Sequence, residues 1–242
     1  MLKLKDVSAM AEDTIVLNKI NLEINPGEIH AILGPKGSGK SSLAHIIQGN
    51  PFLQITSGSI LFQNKKINKH SPNKRSQLGI FSTFQYPPEI EGLTNRDLLK
   101  AIIESKSGTQ YNSDIEDAYK FLLKQVGLDT RFMDDSVNTE IRPVADWKKG
   151  ELVQALLIQP DLMILDEIDA DLDTESFDYI VAMIRSFLEN KNKSVVLITH
   201  SNKILTEIIP DYVHVMVGGE IREEGGTELY KRIMNNGDTQ FS

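Results

Sequence analysis

The eight residues Gly34-Pro35-Lys36-Gly37-Ser38-Gly39-Lys40-Ser41 constrain this chain more than any other segment. They satisfy the G-x-x-x-x-G-K-[ST] spacing and follow the apolar run from His30 to Leu33 directly. They lead straight into KSSLAHIIQG, where Leu43, Ile46 and Ile47 fit helical spacing and Gly49 is placed to end the helix. A strand, a glycine loop and a helix in that order form a cradle for phosphate. Glycine lets the backbone turn tightly with its N–H groups inward, the helix N-terminus adds positive potential, and a lysine brings a full charge. The expected phosphate contacts are Gly34, Pro35, Lys36, Gly37, Ser38, Gly39, Lys40, Ser41 and Ser42, with Lys40 on the β and γ phosphates and the Ser41 hydroxyl on magnesium.

A second anchor is Leu162-Met163-Ile164-Leu165-Asp166-Glu167, a run of apolar residues ending in two adjacent carboxylates. Carboxylates at the end of a buried strand need a reason. Asp166 is placed to hold magnesium through water and Glu167 to polarise an attacking water, the division of labour that phosphoryl transfer requires.

Around these anchors, apolar runs bounded by turn residues (LKLKDV, TIVLNKINLEI, EIHAILG, SGSILFQ, LGIFSTFQ) predict strands through the first part of the chain. From Thr94 to about Gly127 the pattern turns helical, with Thr94 and Ser113 as candidate N-caps. After Pro160 strands and helices alternate again: DLMILDE, a helix from about Thr174 to Glu189, SVVLITH, a short helix from about Lys203 to Ile208, and DYVHVMV. Strands apolar on both faces imply a buried parallel sheet. The expected fold is α/β, with that sheet as its centre, an N-terminal antiparallel β portion and a helical subdomain. One domain spans residues 1–242, with residues 1–84 and 161–242 as the α/β lobe and residues 85–160 as the helical subdomain.

Composition narrows the function. With 34 acidic against 26 basic residues and net charge −8, the chain has the wrong sign to neutralise nucleic-acid phosphates. No apolar run approaches the ~18 residues of a membrane span, and the first residues lack the apolar stretch of a signal peptide, so a cytoplasmic chain is expected. It has no cysteine, which removes disulfides, thiolate chemistry and cysteine-ligated clusters.

The motifs together resemble ABC-type ATPases over nearly the whole chain. By that resemblance Gln85, in FSTFQYPPEIEGL, stands as a catalytic glutamine that contacts magnesium and water; the implied metal contacts are thus Ser41, Gln85 and Asp166. His200, closing SVVLITH, is similar to the family's switch histidine and joins Glu167 and Gln85 as an implied catalytic residue. Ala170-Asp171-Leu172-Asp173 resembles the loop through which one subunit touches the other's site. Within that class the nearest likeness is to the SufC-type ATPases of SUF iron–sulfur cluster assembly. It is carried by IHAILGPKGSGKSSLA, FQYPPEIEGL, LIQPDLMILDEIDADLD and THSNKILTEIIPDYVHVMVGGEIREEGG. The resemblance implies ATP and Mg2+ as cofactors, a homodimer formed around ATP, and a scaffold partner of the SufB/SufD kind that the dimer opens. Any cluster would then be held on the partner's ligands.

The departure lies upstream of the carboxylates. Such ATPases carry Ser-Gly-Gly and an acidic or amide residue at a helix start, where this chain has Pro143-Val144-Ala145-Asp146. Pro143 offers neither hydroxyl nor N–H, and side chains at Val144 and Ala145 hinder close backbone approach. Hydrolysis is expected to be slow if those donors matter. Lys36 and Ser42 stand where asparagine and threonine are common, and Ala11 offers no ring to adenine. Three other readings stay open: the ATP-binding subunit of a membrane transporter, a weakly hydrolysing nucleotide-gated regulatory subunit, and a small-metabolite kinase.

Overall fold

The computed structural model describes residues 1–83, 89–107 and 110–236. Its strands are β1 Leu2–Ala11, β2 Thr14–Ile24, β3 Ile29–Leu33, β4 Leu53–Phe62, β5 Lys65–Lys66, β6 Ile80–Ser82, β7 Ile90–Thr94, β8 Ser136–Val137, β9 Leu162–Asp166, β10 Ser194–Ile198, β11 Tyr212–Val217 and β12 Glu220–Gly225. Its helices are α1 Lys40–Gln48, α2 Pro72–Gln77, α3 Asn95–Ser107, α4 Ser113–Gln125, α5 Val144–Ile158, α6 Thr174–Leu188, α7 Asn202–Glu207 and α8 Thr227–Asn236.

Among the described residues the central sheet runs β12-β11-β3-β10-β9-β6, parallel except for the antiparallel edge pair β11/β12. Successive residues of a strand face opposite sides, and the core divides accordingly. Ala31, Leu33, Met163, Leu165, Val195 and Leu197 pack toward α5 and α6. Ile32, Ile164, Val196 and Ile198 pack toward α1 and the antiparallel sheet β2-β1-β4-β5. Both faces are covered, which explains why β9 and β10 are buried at every position.

The helices between β6 and β9 have local causes. Thr94 Oγ1 accepts from the Asp97 N–H at 3.1 Å ahead of α3. Asn112, rather than the expected Ser113, caps α4, its side chain accepting from the Ile115 N–H at 3.0 Å. Asn112 holds the extended backbone that a cap needs, while Ser113 is already the first helical residue. The strand order puts the carboxyl ends of β3, β9 and β10 side by side, the place where open parallel sheets bind ligands.

Candidate active site

Gly34 begins the loop after β3 at φ 147°, and a Cβ built there would stand 2.1 Å from the Met216 carbonyl oxygen on β11. A side chain is therefore excluded at the point where the loop turns under the sheet. The β11–β12 turn holds the same loop from the side: the Gly219 N–H donates to Ser38 O at 2.9 Å, and the Asn18 N–H of β2 donates to Gly219 O at 2.8 Å. α1 starts from Gly39 with no side-chain cap, so its first N–H groups are free of a competing side-chain acceptor.

Lys40 is buried, its ammonium donating to Gly34 O at 2.9 Å, Pro35 O at 2.8 Å and Ser38 Oγ at 3.4 Å. Burial lowers its pKa, and the Glu167 and Asp166 carboxylates oppose that shift. Phosphate oxygens fit this arrangement, because they would give the buried charge an anionic partner. Asp166 makes the complementary case. The Ser41 hydroxyl beside its carboxylate favours the charged form, but burial outweighs it and raises the carboxyl's pKa, and Oδ1 is buried without a hydrogen-bond partner among the described residues. An orphaned carboxylate oxygen beside a hydroxyl is a donor set suited to magnesium that keeps waters and phosphate ligands. Among the described residues no three His, Asp or Glu side chains converge as a closed metal cage.

Glu167 follows β9 with φ 51°, its N–H donating to Ile198 O at 2.8 Å across to β10. This pin swings its carboxylate toward the residue after Thr199. Glu167 Oε1 stands 3.0 Å from His200 Nε2. A carboxylate held by an imidazole, next to a phosphate cradle, can orient and polarise a water.

Residues outside the sequence motifs hold that pair. Thr199 Oγ1 donates to Asp169 Oδ2 at 3.0 Å and accepts the Ser201 N–H at 2.9 Å, so the loop carrying His200 is tied to the loop carrying Glu167. Burial raises the Asp169 carboxyl's pKa, and the Thr199 hydrogen bond opposes it. Lys148 on α5 is buried and donates to Glu167 O at 2.9 Å and Ala170 O at 2.6 Å. Thr83 Oγ1 accepts the Asp166 N–H at 3.2 Å. Asp169, Thr199, Lys148 and Thr83 occupy none of the motif positions that the sequence marks. The one available signal was a lysine in the middle of an apolar helix, since lysine is rarely buried without partners.

The structure thus gathers Gly34 to Ser42, Asp166, Glu167 and His200 at one end of the sheet. Gln85 lies outside the described residues. Asp171, at φ 57°, turns the segment after Glu167 toward α6, whose N-cap is Asp173. Pro143 is the exposed N-cap residue of α5 and makes no side-chain cap, Val144 is half-buried and Ala145 is buried. Asp146 is ion-paired with Lys149 at 3.0 Å.

Known proteins share this architecture. The family described as ABC transporter matches residues 17–170. A probable ATP-dependent transporter, ycf16, of Cyanophora paradoxa is 38% identical over 96% of this chain and 91% of its own length. The iron–sulfur cluster assembly protein SufC of Plasmodium falciparum is 36% identical over 100% of this chain and 71% of its own. Among solved structures, a post-hydrolysis ATP-binding cassette dimer bound to ADP and Pi superposes with TM-score 0.79 at 24% identity, over 93% of this chain and 98% of that one.

Proposed function

The chain belongs to the ABC transporter ATP-binding family, and from that premise we propose that it is the ATP-hydrolysing motor subunit of a SUF-type iron–sulfur cluster assembly complex. The observation that carries the hydrolytic half is the 3.0 Å contact between Glu167 Oε1 and His200 Nε2, built next to the loop that holds Lys40. Lys40 and the free N–H groups at the start of α1 bind and orient the phosphates. Ser41, Asp166 and Gln85 would hold magnesium, whose chemistry is to neutralise charge on the β and γ phosphates. Glu167 takes the role of general base, accepting a proton from the attacking water. His200 keeps that carboxylate in place and donates toward the phosphate being transferred.

The SUF half rests on the relatives and on composition. SufC of Plasmodium falciparum matches the chain from end to end. The chain has no cysteine of its own, in keeping with clusters carried by a partner scaffold of the SufB/SufD type. The helical segment 85–160 faces that partner, two copies close around ATP, and the closure opens the scaffold. The ycf16 relatives, described as probable ATP-dependent transporters, favour a second reading, an ATP-binding subunit for a membrane permease. No helix among the described residues is long and apolar enough to cross a membrane, so in that reading the span belongs to another chain.

Magnesium-dependent ATP turnover by the purified chain, with and without its co-purifying partner, tests both halves. Turnover that rises with a soluble scaffold and vanishes in Glu167→Gln is the expected result. A partner that proves to be a multi-span permease replaces the SUF reading with the transporter one. ATP binding without turnover in either setting overturns the motor and leaves a nucleotide-gated subunit, the outcome the Pro143-Val144-Ala145 segment invites.

A further inference from the structure

Away from the phosphate loop, toward the amino-terminal end of β3, a cavity of about 580 Å³ opens between β1, β2 and the β11–β12 edge. Its floor is a pair of imidazoles joined edge to edge: His30 on β3 and His214 on β11 lie with ring centroids 5.2 Å apart and planes 6° from parallel. Both are buried, and Tyr212 stacks on the outer face of His30 at 5.1 Å. Neither histidine takes part in the nucleotide chemistry.

The hydrogen bonds of this pair have a direction. Burial pushes Glu28 up, but the Asn25 side chain, the Asn25 N–H and His30 outweigh it and leave the carboxyl below its usual range. Glu28 is therefore an acceptor, and His30 Nε2, 3.0 Å from Glu28 Oε2, must carry the proton of that bond. Burial keeps His30 neutral, so its Nδ1 is a bare acceptor. His214 Nε2, 2.9 Å from His30 Nδ1, must then be the donor. That choice strips His214 Nδ1 of its proton. Nδ1 is buried without a hydrogen-bond partner among the described residues, and the carboxylate oxygen Glu224 Oε2 faces it at 3.6 Å.

Two acceptors, a lone pair and a carboxylate, face each other at the end of a carboxylate–imidazole relay. A buried acceptor without a partner costs ~1–3 kcal/mol, and such a relay orients a metal-binding imidazole and raises its basicity. A borderline metal ion bonded at ~2.0–2.2 Å to one nitrogen and one oxygen holds them ~3.4 Å apart at the tetrahedral angle, close to the separation found here. We propose that His214 Nδ1 and Glu224 bind a divalent cation of the zinc and cobalt class in this cavity. Among the described residues no third imidazole or carboxylate closes on the pair, so water completes the shell and the ion exchanges readily. Imidazole selects against magnesium, which keeps this site chemically separate from the phosphate loop. Glu224 is the exposed half, its side chain 67% exposed against 5% for His214, so the ion enters from the solvent side of the pair.

Cobalt(II) chloride titrated into the full chain, free of nucleotide and magnesium, tests the assignment through visible d–d absorption and calorimetry. One ion per chain is expected. Glu224→Gln, an exposed change that leaves the fold alone, should weaken binding roughly tenfold or more, and His214→Asn should abolish it. His200→Ala, at the phosphate end, should leave it unchanged. The proposal is overturned if Glu224→Gln binds cobalt as the parent does, if His200→Ala removes the binding, or if no binding is seen by about 1 mM.

Discussion

Lys40 and Glu167 separate two stages of one cycle. Among the described residues the hydrogen bonds of the Lys40 ammonium all go to the phosphate loop, so Lys40→Ala should weaken ATP binding by roughly tenfold or more, measured by nucleotide titration. Glu167→Gln keeps the size and the hydrogen-bonding edge but loses the proton acceptor. Binding should persist while turnover falls by at least about 10². An unchanged rate in that variant would remove Glu167 as base. Asp169 is the less visible residue, because it acts through Thr199 on the loop that carries His200. Asp169→Ala should lower kcat about tenfold, the kinetic equivalent of one hydrogen bond, with KM for ATP little changed. Asp169→Asn, which can still accept from Thr199, should recover most of it. A loss in KM alone, or no rescue by Asn, would show that Asp169 does not position the histidine. The phosphate loop and the Asp166–Glu167 pair were legible in sequence because their chemistry demands a fixed local spacing. Asp169 was not, since its partner arrives from another strand.

At the scale of elements, α5 carries two demands at once. It lies against the core, with Leu152, Val153, Ala155 and Ile158 buried, and it sends Lys148 back to the Glu167 loop. Gly150 lies inside this helix, where glycine ordinarily costs ~0.5–1 kcal/mol relative to alanine. A Cβ there would stand 2.1 Å from Phe132 Cζ, a ring that is itself buried. Overpacking at ~1–3 kcal/mol outweighs the propensity gain. Gly150→Ala should therefore destabilise the fold by about 1–2 kcal/mol, read from the denaturation midpoint. A more stable variant would mean that Phe132 yields freely. The start of α5 is the element least explained by its own sequence, because Pro143 supplies no cap and the helix is held by packing and by the Asp146–Lys149 pair.

For the whole molecule, the central sheet is a layer buried on both sides, and its neighbouring strands β3 and β11 hold the imidazoles His30 and His214. Both are neutral in the folded state because burial lowers their pKa, His214 to about 3, from a usual 6.5. A depressed folded pKa contributes stability that is present above the unfolded value and lost as pH falls. The protein should thus lose stability between about pH 6.5 and pH 3, with each buried ring adding up to ~1.4 kcal/mol per pH unit. Chemical denaturation at several pH values in that window should show a shallower decline for His214→Asn than for the parent. Equal slopes would show that the ring takes its proton without unfolding.

The amino-acid sequence determined the strand–loop–helix of the phosphate site, the buried carboxylates, the parallel α/β character and the acidic surface. Each of these follows from residue type at short spacing. It also carried the N-terminal strands, through apolar runs bounded by turn residues. Only the tertiary structure decided that His200 meets Glu167, that Asp169 and Lys148 brace the loops between them, and that Glu28, His30, His214 and Glu224 form one directed chain. Most of those contacts join segments distant in sequence that the sheet brings together. Their chemistry depends on burial and hydrogen-bond direction, which no local pattern of residues encodes.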